Sequence, residues 1–327
     1  MQERVWAPGR VNLIGEHIDY HGLPVLPMAL TQHVEVTFEP REDRRIRASS
    51  EPAYGAREFE WHDELERVAA GDWENYLRAA ALAVARKWGV GRGIDAVVTS
   101  NLPAAAGLSS SSALLVAFTL ALLRANGRTA TFEELMEILP DGEQFVGTRG
   151  GGMDHAAVLA SHAGHASLVS FDPPAVRHVP IPRDWAFLVA DSGVRAEKSG
   201  AARERYNAVR NSPGAAAHVA SESARVRDAV AAMEAEDAAA FGRLLLESHA
   251  SLRDGLDVSH EELDRVVEWA MAAGALGARL TGAGFGGSVV ALCRREDAAR
   301  VLAALRERWT AFQAEAGGGA TIETCET

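Results

Sequence analysis

Seven side chains able to bind, polarise or relay protons fall within residues 10–21: Arg10, Asn12, Glu16, His17, Asp19, Tyr20 and His21. A fixed cation, two carboxylates and two imidazoles on one short segment make a recognition site for a ligand rich in hydroxyls. Any one of these residues alone is explained by a polar turn; the cluster asks for more. Apolar runs at 11–14 and 25–30 flank it and predict a buried strand pair with the cluster on the turn between them.

A second chemistry-bearing stretch, NLPAAAGLSSSSALLVAFTLALL, spans 101–123. A strand enters a small-residue loop that opens a long apolar helix. The first turn of such a helix has unpaired N–H groups and the positive end of the dipole. Gly107 allows close backbone approach, and the serines add hydroxyls for phosphate or Mg²⁺, so this is an anion site by construction. An N-cap explains one serine, not four in a row. The absence of Gly-Lys-Ser/Thr excludes a Walker A loop, and no protein-kinase motif set is present. Third, the glycines 150–152 precede Met153, Asp154 and His155, where Asp154 is either a helix cap or a carboxylate at a tightly packed helix start beside a substrate.

These residues need a scaffold. Alternating segments at 4–7, 33–38, 45–48 and 58–61 predict a mostly antiparallel β layer. Residues 71–88 switch to a helical period, with Tyr76, Ala80, Val84 and Trp88 on one face, and 94–100 returns to a strand with Ile94, Ala96 and Val98 inward. Thr131 and Glu134 form a capping box for a short helix that Pro140 should end. After a strand at 166–171, the proline-bearing stretch 172–185 predicts a loop and a domain junction. The order then is strand 185–191, several helices, strands 276–281 and 288–293, helix 296–315 and strand 321–325. That β-α-β-β-α-β order matches a ferredoxin-like domain, with Ser259 and Glu262 capping one inserted helix. Gly282, Gly284 and Gly287 have dinucleotide-fingerprint spacing but lead into a strand, so they predict a glycine hairpin approaching a neighbouring loop.

At 327 residues the chain suits about two domains. Its 47% hydrophobic and 24% charged content is ordinary for a globular protein. A formal charge of −12 offers no footprint for nucleic acid and argues against a cationic membrane-facing surface. An anionic substrate must therefore be captured by a local device. Two cysteines, Cys293 and Cys325, lack metal-ligand spacing and read as reduced thiols. With no apolar leader and no run near about 18 apolar residues, a soluble, cytoplasmic, monomeric protein is expected, without nucleic-acid or membrane partners.

GRVNLIGEHIDYHG, LPAAAGLSSSSAL and LTGAGFGGSVVAL resemble, in this order, the three motifs of the GHMP small-molecule kinases, and the first is similar to the galactokinase signature. WENYLRAA and ERYNAVR resemble two weaker family segments, so the similarity spans nearly the whole chain. The resemblance implies an α+β, two-domain GHMP kinase fold: a ribosomal-S5-like, sugar- and ATP-binding domain over 1–170 and a ferredoxin-like domain over 171–327. It implies an ATP-dependent sugar 1-kinase acting on galactose, or alternatively on N-acetylgalactosamine or another aldose, with ATP and Mg²⁺. On the family pattern, Arg10 and Asp154 are catalytic, and Glu16, His17, Asp19, Gly152, Asp154 and Tyr206 face the sugar. Pro103, Gly107, Leu108, Ser109, Ser110 and Ser111 hold ATP, Trp73 and Tyr76 line the adenine, and Ser110 and Glu143 serve Mg²⁺. Asp154 would accept the anomeric proton, while Arg10 keeps it ionised and stabilises charge on the moving phosphoryl group. Departures from the pattern are His155 for a usual Gln, Leu23 for a small residue, a one-residue shortening near Glu143, and NSPG in place of Cys-Glu after ERYNAVR.

Two readings from other classes compete. A catalytically silent sugar- and ATP-binding sensor should have lost a catalytic residue or altered its phosphate loop, yet Arg10, Asp154 and Ser109, Ser110 and Ser111 are all present. A metal-dependent hydrolase using Glu16, His17, Asp19 and His21 leaves the serine loop and the glycine hairpin unexplained.

Overall fold

Glu16, His17, Asp19, Tyr20 and His21 sit on the connection of a long hairpin, as the flanking apolar runs require, whereas Arg10 and Asn12 lie on its first strand. β1 (Glu3–Ile14) pairs antiparallel with β2 (Leu26–Pro40). The register slips between Pro8 and Arg10 and again between Asn12 and Ile14. Such irregularities re-aim side chains and interrupt the ladder; here they bracket Arg10 and Asn12. The connection contains a single 3₁₀ turn, Asp19–His21. The computed structural model describes residues 2–103, 106–147, 150–195 and 200–325, so Ala104 and Ala105 of the serine loop lie outside the described residues.

β3 (Arg45–Ser50), β4 (Gly55–Glu60), α1 (Glu74–Trp88) and β5 (Ile94–Ser100) follow. β5 buries Ile94, Ala96 and Val98 as its alternation demands. α1 differs from the single-face expectation. Ala80 and Val84 are fully buried, but Leu77, Ala79 and Ala81 are buried too, while Tyr76 and Trp88 are only half-buried. The reason is that α1 is packed by two other helices, α2 (Ser110–Ala125) and α3 (Phe132–Val146).

The capping box of α3 forms as expected: Thr131 accepts from the Glu134 N–H, and the Glu134 carboxylate accepts from the Thr131 N–H. Pro140 does not end the helix, which continues to Val146. Proline removes one intrahelical donor, but burial of Leu139 before it and of Gly142 and Glu143 beyond it carries the helix through. α4 (Met153–Ala160) then starts behind the glycine run. β6 (His165–Phe171) pairs with β7 (Pro174–Pro180), so part of the expected loop is a strand. Its prolines occupy the first and last positions, where a missing N–H disturbs a ladder least.

The remaining chain runs β8 (Trp185–Asp191), α5 (Gly200–Val209), α6 (Ala215–Glu234), α7 (Ala238–Ala250), α8 (Glu261–Ala272), β9 (Gly277–Thr281), β10 (Ser288–Arg294), α9 (Ala298–Arg306), β11 (Thr310–Ala314) and β12 (Thr321–Thr324). Among the described residues the strands form sheets ordered β12-β1-β2-β5-β3-β4, β11-β8-β10-β9 and β6-β7. The second order is that of a ferredoxin-like domain, but its fourth strand is not the expected one. The helix expected over 296–315 stops at Arg306, and β11 fills the edge beside β8. The terminal strand leaves this sheet and pairs with β1. Ser259 also differs from expectation: its hydroxyl donates to Asp264, and His260 caps α8 by accepting from the Glu262 N–H.

One core fills the space between the six-stranded sheet and α1, α2, α3 and α4 and reaches Trp185, Phe187 and Phe241. A second lies between β8, β9 and β10 and helices α8 and α9. α7 meets β9 backbone to backbone, since a Cβ on Gly242 would stand 2.2 Å from the Leu276 carbonyl oxygen. Gly242→Ala is therefore expected to destabilise the fold by about 1–3 kcal/mol through overpacking, although alanine is favoured by about 1 kcal/mol in helices. A urea titration checks this; an increased midpoint would show that the helix–strand contact yields.

Candidate active site

Arg10 points from the bulged part of β1 into a pocket and is 3% exposed. Its Nε donates to Asp154 Oδ1 at 2.7 Å, Nη2 lies 2.7 Å from the same oxygen, and Nη1 donates to the Gly107 carbonyl at 2.8 Å. Burial works against the charge, but the carboxylates of Asp154, Glu16 and Glu143 outweigh it and raise the guanidinium's pKa. Asp154, in the first turn of α4, is not a helix cap; Gly152 occupies the N-cap position. Its Oδ2 accepts from Ser109 Oγ and, at 3.3 Å, from Ser112 Oγ.

The four serines are thus divided in two. Ser109, in left-handed conformation at φ 59°, and Ser112, one turn later, face inward. Ser112 also donates to Glu143 Oε1 at 2.7 Å. Ser110 and Ser111 are half-exposed at the start of α2. Their hydroxyls and the unpaired N–H groups of that turn are what the helix offers an anion. The Leu108 side chain is core, but its carbonyl accepts from the Arg10 N–H at 3.1 Å.

The same pocket is lined by Arg10, Glu16, His17, Asp19, Glu143, Gly150, Gly152, Met153, Asp154, Tyr206, Gly282 and Ala283. Glu16 Oε1 accepts from the Gly282 N–H at 2.6 Å, which realises the expected approach of the glycine hairpin. Burial raises the Glu16 pKa, against the opposing charges of Arg279 and Arg10. Burial lowers that of His17 to about 4, so its imidazole is neutral at pH 7. A carbonyl only accepts, so Nε2–H donates to Ala283 O at 3.0 Å, and Nδ1 accepts from the Tyr20 hydroxyl at 2.9 Å. Both ring nitrogens of His17 are therefore engaged within the protein. Asp19 Oδ2 accepts from the Gly151 N–H at 3.0 Å. A Cβ on Gly151 would stand 2.2 Å from the Asp19 carbonyl carbon, so only glycine allows this approach. Burial, helped by the charge of Asp154, raises Asp19 to a pKa of about 6. Tyr206 lies with its ring centroid 5.6 Å from that of His17, and burial raises its pKa, leaving the phenol a donor.

Trp73, Tyr76 and Pro103 do not line this pocket. Trp73 is buried just before α1 with Nε1 donating to Tyr54 O at 3.1 Å, and Tyr76 and Pro103 are half-buried. His21 is exposed at the end of the 3₁₀ turn. Among the described residues no group of three His, Cys, Asp or Glu side chains could hold a metal by itself, which leaves the hydrolase reading without a centre. His155 is fully buried with Nε2 3.9 Å from Glu143 Oε1, and neither ring nitrogen has a hydrogen-bond partner among the described residues. Ser112, Arg279 and Thr281 were not singled out from sequence. Ser112 was legible as the residue three after Ser109 on one helical face, and Arg279 as a charge inside the buried strand Gly277–Thr281.

The residues 75–162 and 229–311 match the models described as GHMP kinases N terminal domain and GHMP kinases C terminal. A mevalonate kinase crystal structure shares the fold, with a TM-score of 0.73 at 19% identity over 95% of this chain and 98% of that one. The fold is that of a GHMP kinase. Residues 3–40 match the galactokinase galactose-binding signature. Galactokinases of Chloroflexus aggregans and a Roseiflexus species are 36% and 35% identical, covering 91% and 98% of this chain and 86% and 90% of theirs. The Lactococcus lactis galactokinase solved with galactose matches with a TM-score of 0.89 and 27% identity, over 98% of this chain and 95% of that one. The chain belongs to the galactokinase family, and with it to the sugar-kinase phosphotransferases.

The raised Asp19 pKa has a consequence for the ligand-free protein. The folded state holds the Asp19 proton more tightly than the unfolded chain, so this contribution to stability is full below pH 4 and is lost as pH rises through about 6. Asp19→Asn should therefore stabilise the protein increasingly from pH 4 to about 6 and by a constant amount above that, up to about 3 kcal/mol. Denaturant midpoints of both proteins at several pH values check this; a difference already constant from pH 4 would remove the assignment.

Proposed function

We propose that the chain transfers the γ-phosphoryl group of ATP to the anomeric hydroxyl of galactose. The observation that carries this is the buried Arg10–Asp154 pair, set between a hydroxyl-binding wall and the N-terminus of α2. The signature matched by residues 3–40 and the galactokinase relatives support galactose over N-acetylgalactosamine or another aldose. They also support an active enzyme over a silent sensor.

In this reading Glu16, Asp19 and Tyr206 hold sugar hydroxyls, and Gly152 allows the ring to approach α4. His17, with both nitrogens committed, orients Tyr20 and the Ala283 carbonyl. Asp154 receives or orients the anomeric proton, and Arg10 stabilises charge on the transferring group. Gly107, Leu108, Ser109, Ser110 and Ser111 surround the phosphates, Ser110 and Ser111 through half-exposed hydroxyls. Pro103 shapes the loop's entry, and Trp73 and Tyr76 border the adenine. The hard oxygen donors of Glu143 and Ser110 suit Mg²⁺, which is commonly held by one or two carboxylates together with substrate phosphates. Mg²⁺ supplies neutralisation of phosphate charge when bound. We take residues 1–170 as the sugar- and ATP-binding domain, with β12 completing its sheet, and the rest of 171–327 as the ferredoxin-like domain, in a monomeric, cytoplasmic enzyme. Among the described residues no helix is long and apolar enough to cross a membrane.

An ATP-coupled assay over galactose, N-acetylgalactosamine, glucose, mannose and arabinose tests the substrate. Turnover should be highest with galactose, and failure with every sugar would overturn the reading. Asp154→Asn should lower kcat by about 10²–10⁴-fold while galactose binding stays measurable by calorimetry. Near-normal turnover would remove Asp154 from the chemistry.

A further inference from the structure

The register shift of β1 between Asn12 and Ile14 leaves Leu13 without a partner on β2, while Asn12 faces Pro27, which has no N–H to donate. Buried peptide groups that the ladder does not satisfy need partners elsewhere. They find them on two side chains of β9, 266 or more residues away. Thr281 Oγ1 accepts from the Asn12 N–H at 2.9 Å and donates to the Asn12 carbonyl at 3.0 Å. Arg279 Nη1 donates to the carbonyls of Asn12 and Leu13, both at 3.1 Å. Arg279 and Thr281 are two apart on one strand and so share a face.

Arg279 is fully buried, yet among the described residues its Nε and Nη2 have no acceptor. A buried charge so sparsely bonded is a poor source of stability. Its position says more: Nη1 is 3.6 Å from Glu16 Oε1, and the two carbonyls it holds lie on the segment joining Arg10 to Glu16. The neighbouring carboxylate Glu222 is taken by other donors, namely the Gly15 N–H, Ser248 and Arg225. His218, kept neutral by burial, donates from Nε2–H to the Glu16 carbonyl at 2.9 Å and accepts from the Ser251 hydroxyl at Nδ1. The backbone from Asn12 to Glu16 is thus gripped at successive points by side chains of the C-terminal half.

We propose that Arg279 is a positioning residue that, with Thr281, holds the bulged backbone of Asn12 and Leu13 and so sets the placement of Glu16 relative to Arg10. This rests on the galactose kinase reading. It predicts a selective defect, because the serine loop is held by different bonds, including Ser288 Oγ to the Ala106 carbonyl.

The test is steady-state kinetics with both substrates varied, plus calorimetric galactose binding, on wild type, Arg279→Met, Arg279→Lys and Thr281→Val. Arg279→Met should raise the galactose KM and Kd roughly 10–100-fold, the range typical of lost outer-shell support, with the ATP KM nearly unchanged. Arg279→Lys, which keeps charge and donor, should recover much of the loss, and Thr281→Val should shift the same parameters in the same direction. A merely structural role would lower the active fraction and hence apparent kcat, leaving both KM values alone. That result, a parallel rise in both KM values, or no rescue by lysine would overturn the proposal. Should Arg279→Met fail to fold, Thr281→Val decides alone: an unchanged galactose KM overturns it. Absence of galactose binding by wild type would instead remove the functional reading itself.

Discussion

The site depends on keeping one arginine charged and immobile where water scarcely reaches it. A buried ion loses several kcal/mol of hydration, and mutual attraction repays this only with good geometry and further hydrogen bonds. Arg10 has both. Two of its nitrogens converge on Asp154, the third takes the Gly107 carbonyl, and its backbone N–H takes the Leu108 carbonyl. One side chain thereby joins β1, the serine loop and α4. The serine loop and Asp154 cannot shift relative to Arg10 without unpairing a buried charge. This is preorganisation in its physical sense: the donors face the reacting region before the substrate arrives.

The same burial shapes the recognition wall. Carboxylates at Glu16 and Asp19 are poorly solvated, and the raised pKa values record that penalty. On the proposed reading, sugar hydroxyls supply donors to both carboxylates, so a galactose complex offsets part of that penalty. His17 shows the complementary solution. Its low pKa keeps the ring neutral, and a neutral ring can accept from Tyr20 while donating to Ala283. A protonated ring could not accept. The imidazole therefore locks the turn rather than adding charge to it.

How much of this was legible in the sequence follows from how local each signal is. The polar turn, the serine loop, the capping box and the glycine hairpin are defined by residues a few positions apart, and all lie where periodicity and turn chemistry put them. The expectation that Pro140 ends α3 failed because tertiary burial of Leu139 and Glu143 overrides a local penalty. β11 was read as helix because WTAFQA is short and follows a strong helical pattern, and only its pairing with β8 makes it a strand. Arg279 is marked as a charge inside a buried strand, but what it and Thr281 bind is not legible. Their partners are backbone atoms of Asn12 and Leu13, and no side-chain pattern announces a peptide group that its own ladder leaves unsatisfied.

The chain terminus shows the same dependence on distant backbone. β12 is exposed along its length, so it adds little apolar burial; what it contributes is a ladder to β1. That ladder covers the edge of the strand on which Arg10 sits, where unpaired peptide groups would otherwise face solvent or another chain. Just before it, the Gly317 N–H bonds the Ala29 carbonyl, while those of Gly319 and Ala320 bond the carbonyls of Ser161 and Val158 at the end of α4. The strap therefore grips β2 opposite Arg10 and the far end of the helix that begins at Asp154. Arg10 and Asp154 meet directly in the pocket, and the elements carrying them are tied a second time at their outer ends. Two attachments resist rotation where one permits it, and it is rotation of α4 about the ion pair that would misalign the Asp154 carboxylate.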